Sequence, residues 1–303
     1  MSTRYEPLLE LYPEALVRAG AVYPTTIARR ANSPWGRLLV DQAPRAPSPT
    51  LRSLGAAHLA RRRADDPSLT NGPTTCWQGD GPDGVRVTPG LYFDMLATCD
   101  GLKAEFEDSD GSMPLAKLPM RALAHELAAD PLASGTGRDA AIGISVILTV
   151  PGAPGEPEGS DAGGRAFVIG CRGHVSSDRD SWHVAPSGML ELNGDPDPIA
   201  ATVATELHEE LGIRIASAEV ADRMVVLGLV HDLLRLKPDL VVRLDLAATE
   251  LPAALEAVSE FSELAFVPAE RDALNRFWAA HGPSTLTPAA AGAIALFEEL
   301  MPD

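Results

Sequence analysis

The segment Ala141 to Val150, AIGISVILTV, sets the strongest limit on the fold. It is apolar, rich in β-branched residues and stops at Pro151, which is the pattern of a strand. Arg165 to Gly170 reads as the strand returning beside it. The tip between them, PGAPGEPEGSDAGG, is a solvated loop of proline, glycine and acid. Trp182 to Ala185 is a third, short strand. Pro198 to Leu211 is a helix with Asp197 as N-cap, Pro198 in its first turn and Gly212 just past its end. Met224 to Val230, Leu240 to Leu246 and Leu264 to Val267 follow as strands, with Ala253 to Val258 helical. Thr287 caps a last helix through Ile294, Phe297 and Met301. This mixed order after residue 137 predicts an α/β (α+β) sandwich, a mixed sheet with helices on its faces.

The earlier residues have a different texture. Pro7 to Arg18 is predicted as an amphipathic helix through Leu8, Leu11 and Leu16, and Ala43 to Thr50 as a proline-rich connector. Leu51 to Arg63 is a helix closed by Arg61-Arg62-Arg63, read as a solvated basic end. Thr74 to Gln78 and Val85 to Val87 are short strands across a Gly79 to Gly84 turn. Leu91 to Cys99 and Pro114 to Ala129 are helices. The expected organisation is therefore an accessory region over 1–130, mostly helical with a short hairpin, and a second domain over 131–303. The length of 303 residues accommodates both.

Charge narrows the partners. With 25 basic and 42 acidic side chains the net charge is 25 − 42 = −17. That excludes a nucleic-acid polymer as partner, which needs a basic face to displace counterions. It leaves room for a small phosphate-bearing substrate, because divalent metals bridge carboxylates to phosphate. No run of 18 apolar residues appears, so no membrane partner is expected, and the first twenty residues lack a signal-peptide h-region. Cys76, Cys99 and Cys171 are scattered and odd in number, which fits a reduced cytoplasm.

The chemistry concentrates in His183 to Ile215. Glu206 and Glu210 are four apart on one face of the predicted helix, and Glu209 lies about 60° round from Glu206. Val203, Leu207 and Leu211 form the adjoining apolar stripe that presses the helix onto the sheet. Clustered carboxylate oxygens on a rigid element suit Mg²⁺ or Mn²⁺. A plain solvated acidic face is the competing reading.

The residues Glu206-Leu207-His208-Glu209-Glu210-Leu211-Gly212-Ile213 fit E-U-x-E-E-x-G-U, with U aliphatic. Pro186-Ser187-Gly188 precedes them as a proline–glycine turn. Together they resemble the Nudix box, G-x5-E-x7-R-E-U-x-E-E-x-G-U. The box arginine is Thr205 here, Asp197 stands in the register of the first-half glutamate, and Gly188 lies three residues upstream of its register. The order and texture of residues 70–303 also resemble the branch of that family that hydrolyses UDP-glucose and UDP-galactose. The resemblance implies a Nudix-type α/β/α sandwich. It implies an Mg²⁺- or Mn²⁺-dependent hydrolase that splits a nucleotide sugar such as UDP-glucose into a nucleoside monophosphate and a sugar 1-phosphate. It implies Glu206, Glu209 and Glu210 as catalytic residues, and Gly188, Glu206 and Glu210 as metal ligands.

Phosphate also needs cations. Arg165, Arg172 and Arg179 are the candidate diphosphate clamps, because guanidinium forks match phosphate oxygens. Glu191, Asp197 and Glu263 are candidate accessory acids. His208 faces solvent by helical arithmetic, and His183 is read mainly as structural. Two alternatives fit the same residues: a catalytically impaired nucleotide-binding or regulatory protein, and a hydrolase for ADP-ribose or a modified nucleoside triphosphate. For residues 1–130 the roles open are an accessory layer, part of a substrate lid, or a homodimer interface.

Overall fold

Gly143–Pro151 lies inside the largest sheet with strands on either side, which its unbroken apolar run requires. The computed structural model describes residues 4–30, 37–81, 84–109, 114–151, 164–173, 178–251 and 260–301. In chain order the strands are β1 (Val17–Arg18), β2 (Ala21–Val22), β3 (Thr25–Arg30), β4 (Arg37–Val40), β5 (Pro73–Gly81), β6 (Gly84–Leu91), β7 (Gly143–Pro151), β8 (Arg165–Arg172), β9 (Trp182–Val184), β10 (Ser187–Met189), β11 (Val225–Asp232), β12 (Lys237–Asp245) and β13 (Phe261–Pro268). The α-helices are α1 (Leu8–Leu11), α2 (Pro49–Leu54), α3 (Ala56–Asp65), α4 (Tyr92–Met95), α5 (Gly101–Asp108), α6 (Pro119–Ala128), α7 (Pro198–Leu211), α8 (Ser217–Arg223), α9 (Arg271–Ala280) and α10 (Pro288–Glu299).

Among the described residues the main sheet has eight strands. Six run in the order β13-β8-β7-β12-β11-β3, with β9 beside β8 and β10 beside β7. β7 and β12 are parallel, with Asp239 opposite Gly143, and the other pairings are antiparallel. Alternate residues of β7 serve two layers. Ile144, Val146, Leu148 and Val150 pack with Val203, Leu207 and Leu211 of α7. Ile147 faces the opposite layer, with Phe167, Val230 and Val241 beneath α9 and the alanine-rich α10. The fold is the expected mixed α/β sandwich.

α7 starts and stops where its sequence signals place it. Asp197 Oδ1 accepts the Ala200 N–H at 3.0 Å, and Gly212 takes the left-handed conformation at φ 67°. The cap is worth about 1 kcal/mol. α10 likewise begins at Thr287, whose hydroxyl accepts the Ala290 N–H at 3.2 Å.

The first 130 residues depart further from expectation. The Pro7 to Arg18 helix ends at Leu11, because Pro13 follows and Ala19 and Gly20 adopt positive φ (48° and 74°) to fold β1 onto β2. β3 joins the main sheet beside β11, so sheet membership crosses the division expected at residue 130. The Leu51 to Arg63 helix is broken at Gly55, and the Leu91 to Cys99 helix passes into a π-turn over Leu96–Asp100. The predicted Pro114 to Ala129 helix is a 3₁₀ turn followed by α6. β4, β5 and β6 form a separate small sheet. The expected helix at 253–258 and positions 152–163 of the acidic loop lie outside the described residues. Among the described residues no helix is long and apolar enough to cross a membrane.

Buried polar groups tie the early residues to the later ones. Arg121 is fully buried and donates to Leu233 O at 2.9 Å, Leu234 O at 2.8 Å and the Tyr12 hydroxyl at 2.9 Å. The basic triplet is not simply solvated: Arg62 donates to Asp100 at 3.3 Å, and Arg63 lies over the Phe93 ring.

Asp139, at this junction, yields a stability prediction. It is 2% exposed, and Oδ2 accepts the Leu91 N–H at 2.9 Å. Burial pushes its carboxyl up to about 6. Its folded value lies above the unfolded one, so its favourable contribution is full below the unfolded pKa and is lost as pH rises through 6. Asp139→Asn keeps an acceptor for Leu91 and removes the charge. It is expected to stabilise the protein at pH 8 by roughly 2–3 kcal/mol and to change little at pH 4. Denaturant midpoints at the two pH values check this, and equal shifts at both would refute it.

Candidate functional site

The site is built on one turn of α7 facing the β10 strand. The apolar stripe of α7 sits on the sheet, which carries Glu206 and Glu210 inward beside it. Glu210 is 1% exposed. One of its oxygens accepts the Ser187 N–H at 2.9 Å, and the other is buried without a hydrogen-bond partner among the described residues. Ser187 and Gly188 are fixed by pairing with Ser145 and Ile144 of β7. Glu206 lies against Gly188, where a Cβ would overlap its carboxylate, so a side chain at 188 would displace the Glu206 carboxylate from this position.

This crowding has an electrostatic consequence. Burial, reinforced by Glu260, Glu209 and Glu191, pushes the Glu206 carboxyl up to about 8, with Arg172 opposing. Burial, then Glu206 and Glu260, pushes Glu210 up to about 9 against the Ser187 hydrogen bond. Two carboxyls this unwilling to ionise, one with an orphaned oxygen, fit a divalent cation that would relieve both. Among the described residues no three His, Cys, Asp or Glu side chains are placed to hold an ion unaided. A cation on Glu206 and Glu210 would therefore complete its shell with main-chain carbonyl, water or substrate oxygens, as Mg²⁺ commonly does.

Glu206 opens onto a cleft of about 610 Å³ at the end of the sheet. Arg172, Gly188, Glu191 and Glu260 share its lining from the main-sheet side, and Asp66, Tyr92, Met95 and Asp100 form a wall from the first 130 residues. The N-terminus of α10, at Thr287 to Ala289, and Asp178, Asp232, Arg235, Lys237 and Asp239 complete it. Arg235 is the hub of the far wall. Its Nε donates to Asp100 at 2.9 Å and its two terminal nitrogens to Asp232 and Asp178 at 2.8 Å each. Lys103 also bonds Asp178. Burial alone would raise Asp178, but Arg235 and Lys103 hold its carboxyl well below the usual range.

The structure brings together Gly188, Glu191, Glu206 and Arg172 in the cleft, with Glu210 directly behind through Ser187. Glu209 is exposed outside the lining and adds negative charge to Glu206. Arg165 is not a cleft residue: it donates to Thr149 O at 2.7 Å and Leu246 O at 2.9 Å and lines a separate depression. Arg179 is exposed and does not line the cleft. Asp197 is occupied as the α7 cap. Glu263 is exposed on β13, where the register with β8 slips, and the acid from this segment that lines the cleft is Glu260. His183 is buried, pairs through Nδ1 with the Thr287 hydroxyl at 2.7 Å, and is held well below its usual pKa by burial. His208 is exposed, as its helical position requires.

Sequence reasoning missed the far wall, Asp100, Asp178, Asp232, Arg235, Lys237 and Asp239, and missed Glu260 on the near side. One signal was available. The run His231 to Asp239, HDLLRLKPD, interrupts two apolar strands with four charges, and those charges all reach the cleft.

No protein-family model and no curated protein matches the chain. Among solved structures it is similar to a MutT/nudix family protein from Enterococcus faecalis, at 16% identity and a TM-score of 0.31 over 42% of this chain and 43% of that one. It is similar to a bifunctional NMN adenylyltransferase/ADP ribose pyrophosphatase from Francisella tularensis complexed with AMP and a manganese ion, at 15% identity and TM-score 0.35, covering 52% and 41%. It is also similar to a Nudix hydrolase from M. smegmatis, RenU, at 19% identity and TM-score 0.34, covering 53% and 85%. The match spans less than half the length of the first two of these proteins.

Proposed function

We propose that the protein is a metal-dependent hydrolase of the Nudix type that splits a nucleoside diphosphate linked to another moiety. The observation that carries this is half-buried Glu206 against Gly188 with buried Glu210 behind it, one Glu210 oxygen having no hydrogen-bond partner among the described residues, beside an arginine-bearing cleft of about 610 Å³. Glu206 and Glu210 would hold Mg²⁺ or Mn²⁺ together with the Gly188 carbonyl. When bound, such an ion lowers the pKa of an attached water and neutralises charge on phosphate oxygens.

The chain's own groups supply the remainder. Arg172 offers its guanidinium to the diphosphate, held at 3.5 Å from Glu260 so that it points into the cleft wall they share. Glu209 keeps the edge of the helix negative and is the remaining acid of the proposed catalytic set. Water adds to one phosphorus, the bridging P–O bond breaks, and a nucleoside monophosphate leaves together with a phosphorylated second product. The finer proposal is a nucleotide sugar such as UDP-glucose, giving UMP and glucose 1-phosphate.

A second reading has one observation in its favour. Thr205, exposed on α7, stands where the resembled box carries arginine, which weakens the cationic support of the glutamates and favours a nucleotide-binding, non-hydrolysing role. One screen separates the readings. Purified protein is incubated with UDP-glucose, UDP-galactose, ADP-ribose and dGTP analogues, with Mg²⁺ or with chelator, and the products are resolved. UMP and a sugar 1-phosphate are expected with metal alone. Tight nucleotide binding without any metal-dependent product supports the non-catalytic reading.

A further inference from the structure

The cleft has a second polar wall that the proposed metal seat does not use. β12 carries Lys237 and Asp239, two residues apart and so on one face of the strand, and both line the cleft. Asp239 is 5% exposed, and its carboxylate lies directly over Gly143, where a Cβ would collide with it. Among the described residues one of its oxygens is buried without a hydrogen-bond partner. A buried acceptor left undonated is costly, and a ligand in the cleft would supply the donor. Lys237 is half-buried and is the foremost charge opposing the burial of Asp239.

The register places this pair relative to Glu206. Gly143, beneath Asp239, pairs with Met189, and Gly188, beneath Glu206, pairs with Ile144. Ile144 packs toward α7, and Gly143 has the opposite parity. The cleft therefore wraps the end of the sheet, with Glu206 on one face and Asp239 on the other. Tyr92 and Met95 line the same space and give a flat ring an aromatic and a thioether surface to lie on. A phosphate is disfavoured at Asp239 by its charge. A sugar hydroxyl would also satisfy the carboxylate, and a sugar's C–H face also packs on an aromatic ring, so binding of ribose 5-phosphate separates the two.

We propose that Asp239 and Lys237 read the edge of a nucleobase, Asp239 accepting an N–H and Lys237 donating to the adjacent carbonyl or ring nitrogen. The proposal rests on the site's being one for a nucleoside diphosphate, and it names the residues that set which base is taken. The test is calorimetric binding of UMP, CMP, AMP, GMP and ribose 5-phosphate to wild type, Asp239→Asn and Lys237→Met, with Mn²⁺ affinity measured in parallel.

Wild type should show at least about tenfold spread among the four bases, the size of one charge-assisted hydrogen bond. Both variants should compress that spread to within about threefold while leaving ribose 5-phosphate and Mn²⁺ affinities unchanged. Lys237→Met carries the test if Asp239→Asn fails to fold. Equal loss across all five ligands, a lost Mn²⁺ affinity, or a wild type that binds every base alike overturns the assignment. Base-selective binding lost in the variants, with no hydrolysis by wild type, leaves this inference standing and removes the hydrolase reading instead.

Discussion

Glu206→Gln and Glu210→Gln should each lower metal-dependent turnover by about a hundredfold or more, while the metal-free protein becomes more stable at high pH. The two halves of this expectation have one cause. Burial holds the Glu206 and Glu210 carboxyls up at about 8 and 9, so without a cation the folded state resists their ionisation. Their folded values exceed the unfolded ones, and the stability they contribute is lost as pH rises through 8 and then 9. Glutamine keeps the shape, and at 210 it still offers an oxygen to the Ser187 N–H. It removes the charge that a divalent ion needs, and with it the ion's contribution of several kcal/mol to phosphoryl transfer. Unfolding of metal-free protein at pH 9.5, compared with kcat for the best nucleotide substrate at pH 7.5, reads both halves. Wild-type-like turnover in both variants would sink the assignment. Lower stability at pH 9.5 would show that the carboxylates serve packing instead.

Much of the main-sheet layer was legible because its signals are local. α7 carries its own start and stop in Asp197, Pro198 and Gly212, and β7 is apolar without a break. The pair Glu206 and Glu210 was legible for the same reason, since helical spacing alone puts them on one face. The far wall was not, because Asp100 and Asp178 converge on Arg235 from segments more than fifty residues away, and only Asp232 is local to it. No periodicity encodes such a meeting. β3 escaped notice because TTIARR alternates too briefly to register, and its place as the sheet's edge beside β11 is a tertiary outcome. Arg165 misled because a strand end feeding the site is not the same as a side chain directed into it. Its guanidinium is spent on Thr149 and Leu246 main-chain oxygens. Glu260 and Glu263 differ by three residues on one segment, and only the register of β13 on β8 separates the cleft acid from the exposed one.

Arg235→Met should destabilise the protein by about 3–5 kcal/mol at pH 8, the usual cost of removing one partner from a buried ionic network. Arg235 is 6% exposed and answers three carboxylates at once, Asp100, Asp178 and Asp232. Methionine fills much of the same volume, so the loss is of charge and not of packing. Arg62 and Lys103 remain to serve Asp100 and Asp178, but Asp232 loses its only ion-pair partner among the described residues. The pH dependence gives the distinguishing sign. In wild type the Asp178 carboxyl is held low, so its contribution is present above the unfolded pKa and lost as pH falls. In the variant Asp178 loses the foremost of the charges that hold its carboxyl low, so the gap between the two proteins should narrow from pH 8 to pH 4.5. Asp232→Asn, added to Arg235→Met, should recover part of the loss at pH 8, because it neutralises the carboxylate left unpaired. Because Asp100 comes from the first 130 residues and Asp232 from β11, the same substitution should loosen the wall that those residues present to the cleft, raising KM more than it lowers kcat. A destabilisation that stays constant with pH, with no recovery from Asp232→Asn, would mean that Arg235 acts through packing alone and that the charged network does not hold the wall.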